Sequence, residues 1–289
     1  MPILRISAFL GFILATLLAF IIQIFIFSPI SPHPLQIPPP AYPTPLPTSY
    51  DLQGLFKVDE GGVTLVASHV NGSKIWFADD VIEASDGMVY FSVASTKFGL
   101  HDWYLDMLEA KPHGQLLKYD PTSKVTSILI DDLGFANGVT LSKDQDFVVV
   151  CETWKYRCLK HWLKGGNKGE TQVFVDNLPG APDNINLSPD GSFWIALLKL
   201  TSDGLEFVHN SPILKRLLAS HPSLLERLIG IHTKATAVNV AEDGRILRQF
   251  DDPDGTVMSF VTSALEYEDH LYLGSLDTNF VGKLPLKKE

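Results

Sequence analysis

The chain has little of what several common functions require. It contains two cysteines, with no second cysteine pair and no His-x-x-His spacing, so the sequence does not indicate zinc. Neither a Gly-x-Ser-x-Gly stretch nor a glycine-rich phosphate loop occurs, which argues against an α/β-hydrolase and a P-loop nucleotide-binding protein. Lys and Arg number 23 against 33 Asp and Glu, giving a formal net charge of −10 without a basic cluster. We therefore expect no nucleic-acid partner.

The two cysteines, Cys151 and Cys158, enclose residues 152–157. They are predicted to lie on consecutive strands, where they could face each other. A disulfide and a pair of buried thiols both fit this arrangement, because pairing geometry cannot be read from spacing alone.

A short sequence motif recurs along the chain, and this repeat predicts the architecture. Each copy consists of an alternating strand, a tight turn such as Asp86-Gly87, Asp190-Gly191 or Glu268-Asp269, and a second apolar strand. The four copies are residues 77–91, 135–149, 181–195 and, in a weaker form, 263–273.

The spacing of the copies matches the blades of a β-propeller. The first three copies start at Phe77, Phe135 and Ala181, which are 58 and 46 residues apart (135 − 77 and 181 − 135). A four-stranded blade takes about 40–50 residues. Three further strand pairs are predicted at 114–120 with 127–130, 158–163 with 171–175, and 237–240 with 245–250. The sequence predicts an all-β propeller rather than a generic antiparallel sandwich, which lacks such a repeat.

The N-terminus is predicted to be a membrane segment. Ile6 to Phe27 contains 22 uncharged residues, enough to span a bilayer. Residues 1–28 are a signal anchor or a signal peptide. The anchor is favoured because Ser28-Pro29 is a poor cleavage site, and Arg5 would keep the short tail in the cytosol. Residues 29–50 form a proline-rich stem, since nine of the nineteen prolines lie between Pro29 and Pro47.

Two N-glycosylation sequons fit a luminal domain. Asn71 begins Asn-Gly-Ser in a predicted turn, and we expect it to carry a glycan. Asn186 begins Asn-Leu-Ser inside a predicted strand, before Pro189, and we expect it to remain bare.

From Leu55 to the C-terminus the chain resembles the strictosidine synthase-like proteins of plants. The resemblance rests on the segments 97–103, 135–138, 160–165, 178–184 and 271–275. These proteins are six-bladed propellers, more distantly related to paraoxonases, gluconolactonase-type lactonases and the adipocyte plasma membrane-associated protein. The resemblance implies a propeller domain at 55–289, an endomembrane location with the domain in the lumen (endoplasmic reticulum or vacuole), and a small-molecule ligand.

The chain departs from the family pattern at its start. Family members have a further stretch, holding the N-terminal blade and part of the next, before the segment that begins here at Leu55. We therefore expect an incomplete propeller of about four to five blades. An open edge, closure with fewer blades and a truncated product are the alternatives, and truncation is favoured.

The catalytic position of strictosidine synthase is also altered. The family glutamate that serves amine–aldehyde condensation has its counterpart near Thr262, and Glu266 and Glu268 lie further along. Because a threonine hydroxyl does not exchange a proton near neutral pH, we expect no strictosidine synthase activity. Catalytic residues remain unassigned, and weak ester or lactone hydrolysis is the activity that the resemblance implies. The alternatives are a non-catalytic luminal binding or scaffold propeller and an inactive truncated product.

The resemblance implies calcium as the cofactor to test. Asn137 and Asp183 match two of the metal ligands of the lactonase relatives, and Asn184 follows the second. The position matching a third ligand is Ala78, which precedes Asp79 and Asp80. This set is incomplete, and a structural role is favoured over bound calcium, because such side chains often bond only to nearby backbone.

Two further segments are predicted to lie near the propeller mouth. His101 and Asp102 are adjacent residues of a long connection, where a structural rim role is favoured over a catalytic pair. Residues 213–229 predict an amphipathic helical segment broken at Pro222, and a lid across the propeller is favoured over binding to a membrane surface.

Overall fold

The structure is a computed structural model that describes residues 53–198, 207–220, 224 and 234–286. The predicted anchor (1–28) and stem (29–50) lie outside the described residues. Within these ranges, no helix is both long enough and apolar enough to cross a membrane.

The described residues form the blades of a β-propeller, as the repeat predicts. Three antiparallel sheets have four strands each, the next has three, and two short hairpins precede them. Blade 1 contains β5 (Phe77–Glu83), β6 (Val89–Ser95), β7 (Gly114–Asp120) and β8 (Val125–Leu133). Blade 2 contains β9 (Ala136–Leu141), β10 (Phe147–Glu152), β11 (Arg157–Trp162) and β12 (Thr171–Val175). Blade 3 contains β13 (Ala181–Leu187), β14 (Phe193–Leu198), β15 (Ala235–Val240) and β16 (Ile246–Asp252). Blade 4 contains β17 (Val261–Tyr267), β18 (His270–Ser275) and β19 (Gly282–Pro285). The hairpins are β1 (Leu55–Asp59) with β2 (Gly62–Ala67) and β3 (His69–Val70) with β4 (Ser73–Lys74).

The inner strands β5, β9, β13 and β17 neighbour one another in this order. They are the first strands of the four copies of the repeated motif. The predicted hairpin turns are confirmed: Gly87 and Gly191 have positive φ, as do both Glu268 and Asp269. Two consecutive residues with positive φ are what a two-residue hairpin turn requires.

The core lies between blades because the second strands of blades 1 to 3 are buried along nearly their whole length. Strand β10 is buried along its whole length, which explains its unbroken apolar run. Between blades 2 and 3, Phe147, Phe174 and Phe193 form a cluster with ring centroids 5.2 to 6.5 Å apart. Such ring pairs stabilise the interface beyond the apolar area they bury.

The cysteines form a disulfide, which decides between the two alternatives. Cys151 of β10 lies directly opposite Cys158 of β11, with Cα atoms 4.0 Å apart, and both are buried. The bond ties two neighbouring strands of blade 2.

The hairpin β1–β2 packs on blade 1. Its Leu55 and Ala67 join a cluster with Phe91 and Leu117 of the middle strands. The inner strand of blade 1 is less covered on this side, and Val81 is half exposed.

Two helices pack together where the inner strands begin. They are α1 (Trp103–Glu109) and α2 (Pro212–Ala219), and they share a cluster that contains Leu108, Leu218 and Ala181. Ser211 caps α2 by accepting a hydrogen bond from the Leu214 backbone N–H at 3.3 Å. The first part of the predicted segment is therefore helical, with Leu218 buried and Leu217 exposed. Of residues 221–229, all except Leu224 lie outside the described residues.

Candidate functional site

Each inner strand contains a β-bulge near its start, and these bulges define the candidate site. In β5, Ala78 and Val81 pair with Val93 and Phe91, so two residues oppose one. The same one-residue shift occurs at Asn137-Gly138 in β9, Asp183-Asn184 in β13 and Thr262 in β17. A bulge bends a strand and redirects a side chain, which is why bulges are common beside active sites.

The register shows which residues are equivalent. The first residues of the four bulges are Asp79, Asn137, Asp183 and Thr262. We call these four residues the bulge ring. The third predicted ligand position therefore differs from the expectation: Asp79, and not Ala78, is the counterpart of Asn137 and Asp183.

The second residues of the bulges join neighbouring blades. The Asp80 carboxylate accepts a hydrogen bond from the Val139 backbone N–H at 2.7 Å. The Asn184 side-chain amide donates to the Thr262 backbone carbonyl at 2.8 Å. Gly138 lies directly against the next bulge, where an added Cβ would be 2.5 Å from the Asp183 carbonyl oxygen. These contacts bring the bulge ring together at one end of the inner strands.

The Asn137 amide has a fixed orientation, which follows from a chain of hydrogen bonds. The buried Thr153 hydroxyl lies 2.9 Å from the Pro182 carbonyl, which can only accept, so its single proton is committed there. Its oxygen must then accept from the Asn137 Nδ2 amide at 3.3 Å. The opposite atom, Asn137 Oδ1, is buried without a hydrogen-bond partner. A buried amide oxygen left unpaired in this way is available to a ligand.

Carboxylates crowd the bulge ring, and their pKa values rise as a result. Burial, and then the charge of Asp80, raise the pKa of Asp79 to about 7. Burial raises the pKa of Asp80, although the backbone N–H groups of Val139 and Val81 oppose the shift. Burial and the charge of Asp79 hold the pKa of Asp183 well above its usual range, against a hydrogen bond from Asn137. Asp79 is nevertheless reached by solvent, whereas Asp183 is buried. Solvent therefore reaches the bulge ring at Asp79.

The side chains of the bulge ring carry oxygen atoms of the kinds that a hard cation binds. The ring offers carboxylate, amide and hydroxyl oxygens, the ligand types that calcium prefers. A cation would satisfy Asn137 Oδ1 and would offset the repulsion between Asp79 and Asp183. The described residues contain no group of three or more His, Cys, Asp or Glu side chains arranged for a metal. A cation at this ring would therefore need the Asn137 amide oxygen in addition to the carboxylates.

A second polar cluster anchors α1, and sequence reasoning missed it. The fully buried Asp106 accepts hydrogen bonds from Ser95 Oγ at 2.6 Å and Trp154 Nε1 at 2.8 Å, and its other close partner is His113 Nδ1 at 3.0 Å. The only signal in the sequence was an acidic residue within an otherwise apolar helical stretch. These contacts fix the helix on the ends of blades 1 and 2.

The remaining candidates lie apart from the bulge ring or in structural roles. His101 and Asp102 form a short exposed 3-10 turn before α1. Glu266 accepts hydrogen bonds from Ser188 Oγ at 2.6 Å and Trp194 Nε1 at 2.8 Å, so it ties blade 4 to blade 3. Glu268 lies in the hairpin turn.

The two sequons differ in accessibility. Asn71 is exposed, with a φ of 49°, in the turn between β3 and β4. The Asn186 amide donates to the Ala264 carbonyl at 3.0 Å. Asn71 is thus open to modification, whereas Asn186 is engaged between blades.

Comparison with known proteins places the chain among propellers of one family. The family model described as strictosidine synthase matches residues 79–166. The adipocyte plasma membrane-associated protein of Mus musculus is 34% identical over 245 residues, covering 81% of this chain and 59% of the relative. The strictosidine synthase-like protein 4 of Arabidopsis thaliana is 33% identical over 238 residues, covering 82% of this chain and 62% of the relative. The chain thus spans about six-tenths of the length of these relatives.

Solved structures show the same fold at low identity. A gluconolactonase from Xanthomonas campestris matches with a TM-score of 0.53 and 15% identity, covering 81% of this chain and 66% of that one. A structure from Agrobacterium tumefaciens described as the calcium-binding protein regucalcin matches with a TM-score of 0.51 and 14% identity, covering 81% and 70%. At these identities the likeness concerns the fold alone. With the sequence matches, it shows that this chain belongs to the family of strictosidine synthase-like and adipocyte plasma membrane-associated proteins.

Proposed function

We propose that this protein is a cation-dependent hydrolase of esters or lactones with slow turnover, acting where the inner strands begin. The observation that carries the proposal is the bulge ring, in which the unpaired Asn137 Oδ1 lies with the crowded carboxylates of Asp79 and Asp183. The gluconolactonase neighbours support the reaction class by analogy of fold, which is a weaker argument.

The residues of the ring have separable roles in this proposal. Asp183, Asn137 and Asp79 would hold calcium, and the Thr262 hydroxyl would complete the ring. A bound cation would polarise the substrate carbonyl and lower the pKa of a water molecule. Thr153 keeps the Asn137 oxygen turned away from its own hydroxyl. In this proposal the residues of the chain thus bind the cation and orient the Asn137 oxygen toward it.

The helices at the same end favour an apolar substrate. Trp103, Tyr104 and Trp154 are partly buried members of the cluster that α1 and α2 share. An aromatic surface of this kind would contact the acyl or aryl part of an ester. A phenyl ester or a medium-chain lactone is therefore a better first substrate than a sugar lactone.

The test is calcium binding followed by turnover, both with the full chain in detergent. We expect thermal unfolding to shift upward with millimolar calcium and to return with a chelator, because a ligand that binds only the folded state stabilises it. Phenyl acetate hydrolysis should follow the same dependence. Asp183→Asn should abolish both effects, and Asp254→Asn, which changes an exposed acid, should change neither. Hydrolysis that persists unchanged in chelator would contradict the proposal.

A non-catalytic binding protein is the second candidate, and Thr262 is the observation that favours it. This residue stands where the resemblance places the catalytic glutamate, and it is buried beneath the Asn184 contact. Calcium binding without turnover of any ester or lactone would support this alternative. Neither candidate includes amine–aldehyde condensation.

We further propose a luminal location with attachment to the membrane through the N-terminal segment. The Cys151–Cys158 disulfide suits an oxidising compartment, and the exposed Asn71 sequon suits glycan addition. Endoglycosidase treatment should reduce the apparent mass of the protein, and Asn71→Gln should remove the effect. A protein released by alkaline carbonate would contradict the anchor.

A further inference from the structure

A cleft of about 480 Å³ lies between blades 1 and 2, at the opposite end of the strands from the bulge ring. It is bounded by the turns 84–88 and 142–146, which follow β5 and β9, and by the connection 163–170. Its volume is within the range of small-molecule sites, about 300–1,000 Å³. Neither the bulge ring nor the cluster that α1 and α2 share has a residue in this cleft.

The charge of the cleft is opposite to that of the whole protein. Lys118, Lys164 and Lys168 line it together with a single acid, Asp86, although the chain carries a net charge of −10. The Asp86 carboxylate accepts the Met88 backbone N–H at 3.0 Å, within its own turn. Because Lys164 is paired with Asp146 at 3.4 Å, two lysines, Lys118 and Lys168, remain against the one acid of the lining, so the cleft is a local basic site on an acidic protein.

Two of the three lysines are available to a ligand. Lys164 lies 3.4 Å from an Asp146 oxygen and donates to the Asp144 carbonyl at 2.8 Å. The ion pairs formed within the described ranges include neither Lys118 nor Lys168. A lysine ammonium is a compact point charge that binds phosphate well.

The walls of the cleft are aromatic and apolar. Tyr90, on β6, is buried, and Trp162, at the end of β11, is half-buried. His161 lies beside them with Nδ1 2.8 Å from Thr171 Oγ1, and burial lowers its pKa, so the ring is neutral at physiological pH. The cleft therefore combines an apolar surface with unpaired cations.

We propose that this cleft binds an organic phosphate. The phosphate group lies between the ammonium groups of Lys118 and Lys168, and the aromatic or short alkyl body packs on Trp162 and Tyr90. Such a site is separate from the bulge ring, so a ligand there does not compete with an ester substrate.

The experiment is calorimetric titration of the full chain in detergent with 2-naphthyl phosphate, 2-naphthol and inorganic phosphate. A chelator is present so that no cation in the bulge ring can hold phosphate. We expect naphthyl phosphate to bind more tightly than either fragment, and its affinity to fall as NaCl rises from 50 to 300 mM. Equal affinity for naphthol, or no binding of naphthyl phosphate, would overturn the proposal.

Matched charge reversals test the location of the site. The variant with Lys118→Glu and Lys168→Glu should weaken naphthyl phosphate binding by roughly tenfold or more, since it removes two attractive charges and adds two repulsive ones. The control with Lys57→Glu and Lys283→Glu makes the same change in net charge at β1 and β19 and should bind as the parent does. An equal loss in both variants would show a response to net charge, and a loss only in the control would place the phosphate elsewhere. Either result would refute the assignment to this cleft.

Discussion

Replacing Thr153 by valine should lower the stability of the fold and, through a separate cause, weaken calcium binding. The substitution keeps the shape of the side chain and removes the hydroxyl that links the Pro182 carbonyl to the Asn137 amide, at 2.9 and 3.3 Å. Each such bond contributes about 0.5–1.5 kcal/mol net, and a buried group left unpaired costs about 1–3 kcal/mol. We expect the free energy of unfolding to fall by about 2 kcal/mol, which lowers Tm by roughly 4–8 °C in a domain of this size.

The effect on calcium affinity has a separate cause. Without Thr153 the Asn137 amide keeps its hydrogen bond to Asp183 but is held less firmly, so binding must fix its orientation at a cost of about 1 kcal/mol, or roughly fivefold in Kd. Titration calorimetry on the parent, Thr153→Val and Thr153→Ser measures this. Serine retains the hydroxyl and should recover most of the affinity even where the missing methyl group lowers Tm.

The controls separate orientation from general damage. Thr140→Val makes the same substitution at another buried threonine of the same blade and should leave Kd unchanged. If Thr153→Val loses stability and still binds calcium as the parent does, the reasoning about the Asn137 orientation is refuted. A parent that does not bind calcium refutes the cation site itself, which is a different result.

Three other perturbations test the same region. Burial and the charge of Asp80 raise the pKa of Asp79 to about 7 in the folded state, so without calcium its contribution to stability is greatest below pH 4 and is lost as pH rises through 7. In urea unfolding with chelator, Asp79→Asn should therefore become more stable relative to the parent as pH rises from 5 to 8. A stability difference that stays constant over this range would contradict the raised pKa. Gly138→Ala would place a Cβ 2.5 Å from the Asp183 carbonyl oxygen and should lower the free energy of unfolding by about 2–3 kcal/mol. The control Gly99→Ala, with open space around it, should change the free energy of unfolding by less than about 0.5 kcal/mol. Equal effects of the two substitutions would show that the bulges do not touch as described. Replacing Cys151 and Cys158 by alanine should cost about 2–3 kcal/mol, because the bond closes a short loop in the unfolded chain, and thermal unfolding of parent and variant with and without a reductant would show whether the parent loses a similar amount.

Much of the fold could be predicted because the repeat carries it. The strands Gly114–Asp120 and Thr171–Val175 have the predicted bounds, and Glu268-Asp269 forms the predicted turn. The pattern succeeds because a blade strand alternates its side chains and the turns require residues that tolerate positive φ. The cysteine pairing could not be predicted, because whether two strand positions face each other depends on register.

The candidate site was only half predicted, and the bulges explain why. Asn137 and Asp183 were recognised from motifs, whereas Asp79 was passed over in favour of its neighbour Ala78. An extra residue in a strand changes which side chain lies on which face of the strand, and nothing in a linear motif marks where the extra residue lies. Thr153 could not be predicted for a related reason. It lies in the turn after β10, outside the repeated motif, and contacts Asn137 only in the folded chain.

The bulge ring also explains why the repeat differs between its copies. The residue directly before each bulge is small or apolar in all four blades: Ala78, Ala136, Pro182 and Val261. The first bulge residue is Asp, Asn, Asp or Thr, and each of these side chains carries oxygen. The second bulge residue matches the neighbouring blade. Asp80 supplies a carboxylate for the Val139 N–H, Gly138 has no side chain to collide with Asp183, and Asn184 supplies an amide for the Thr262 carbonyl. In blades 1 to 3 one position of the bulge thus holds neighbouring blades together, and this leaves the other position to differ in chemistry from blade to blade. The unpaired oxygen of Asn137 shows that the ring does not satisfy its own polar groups, and a cation is the ligand that would satisfy them.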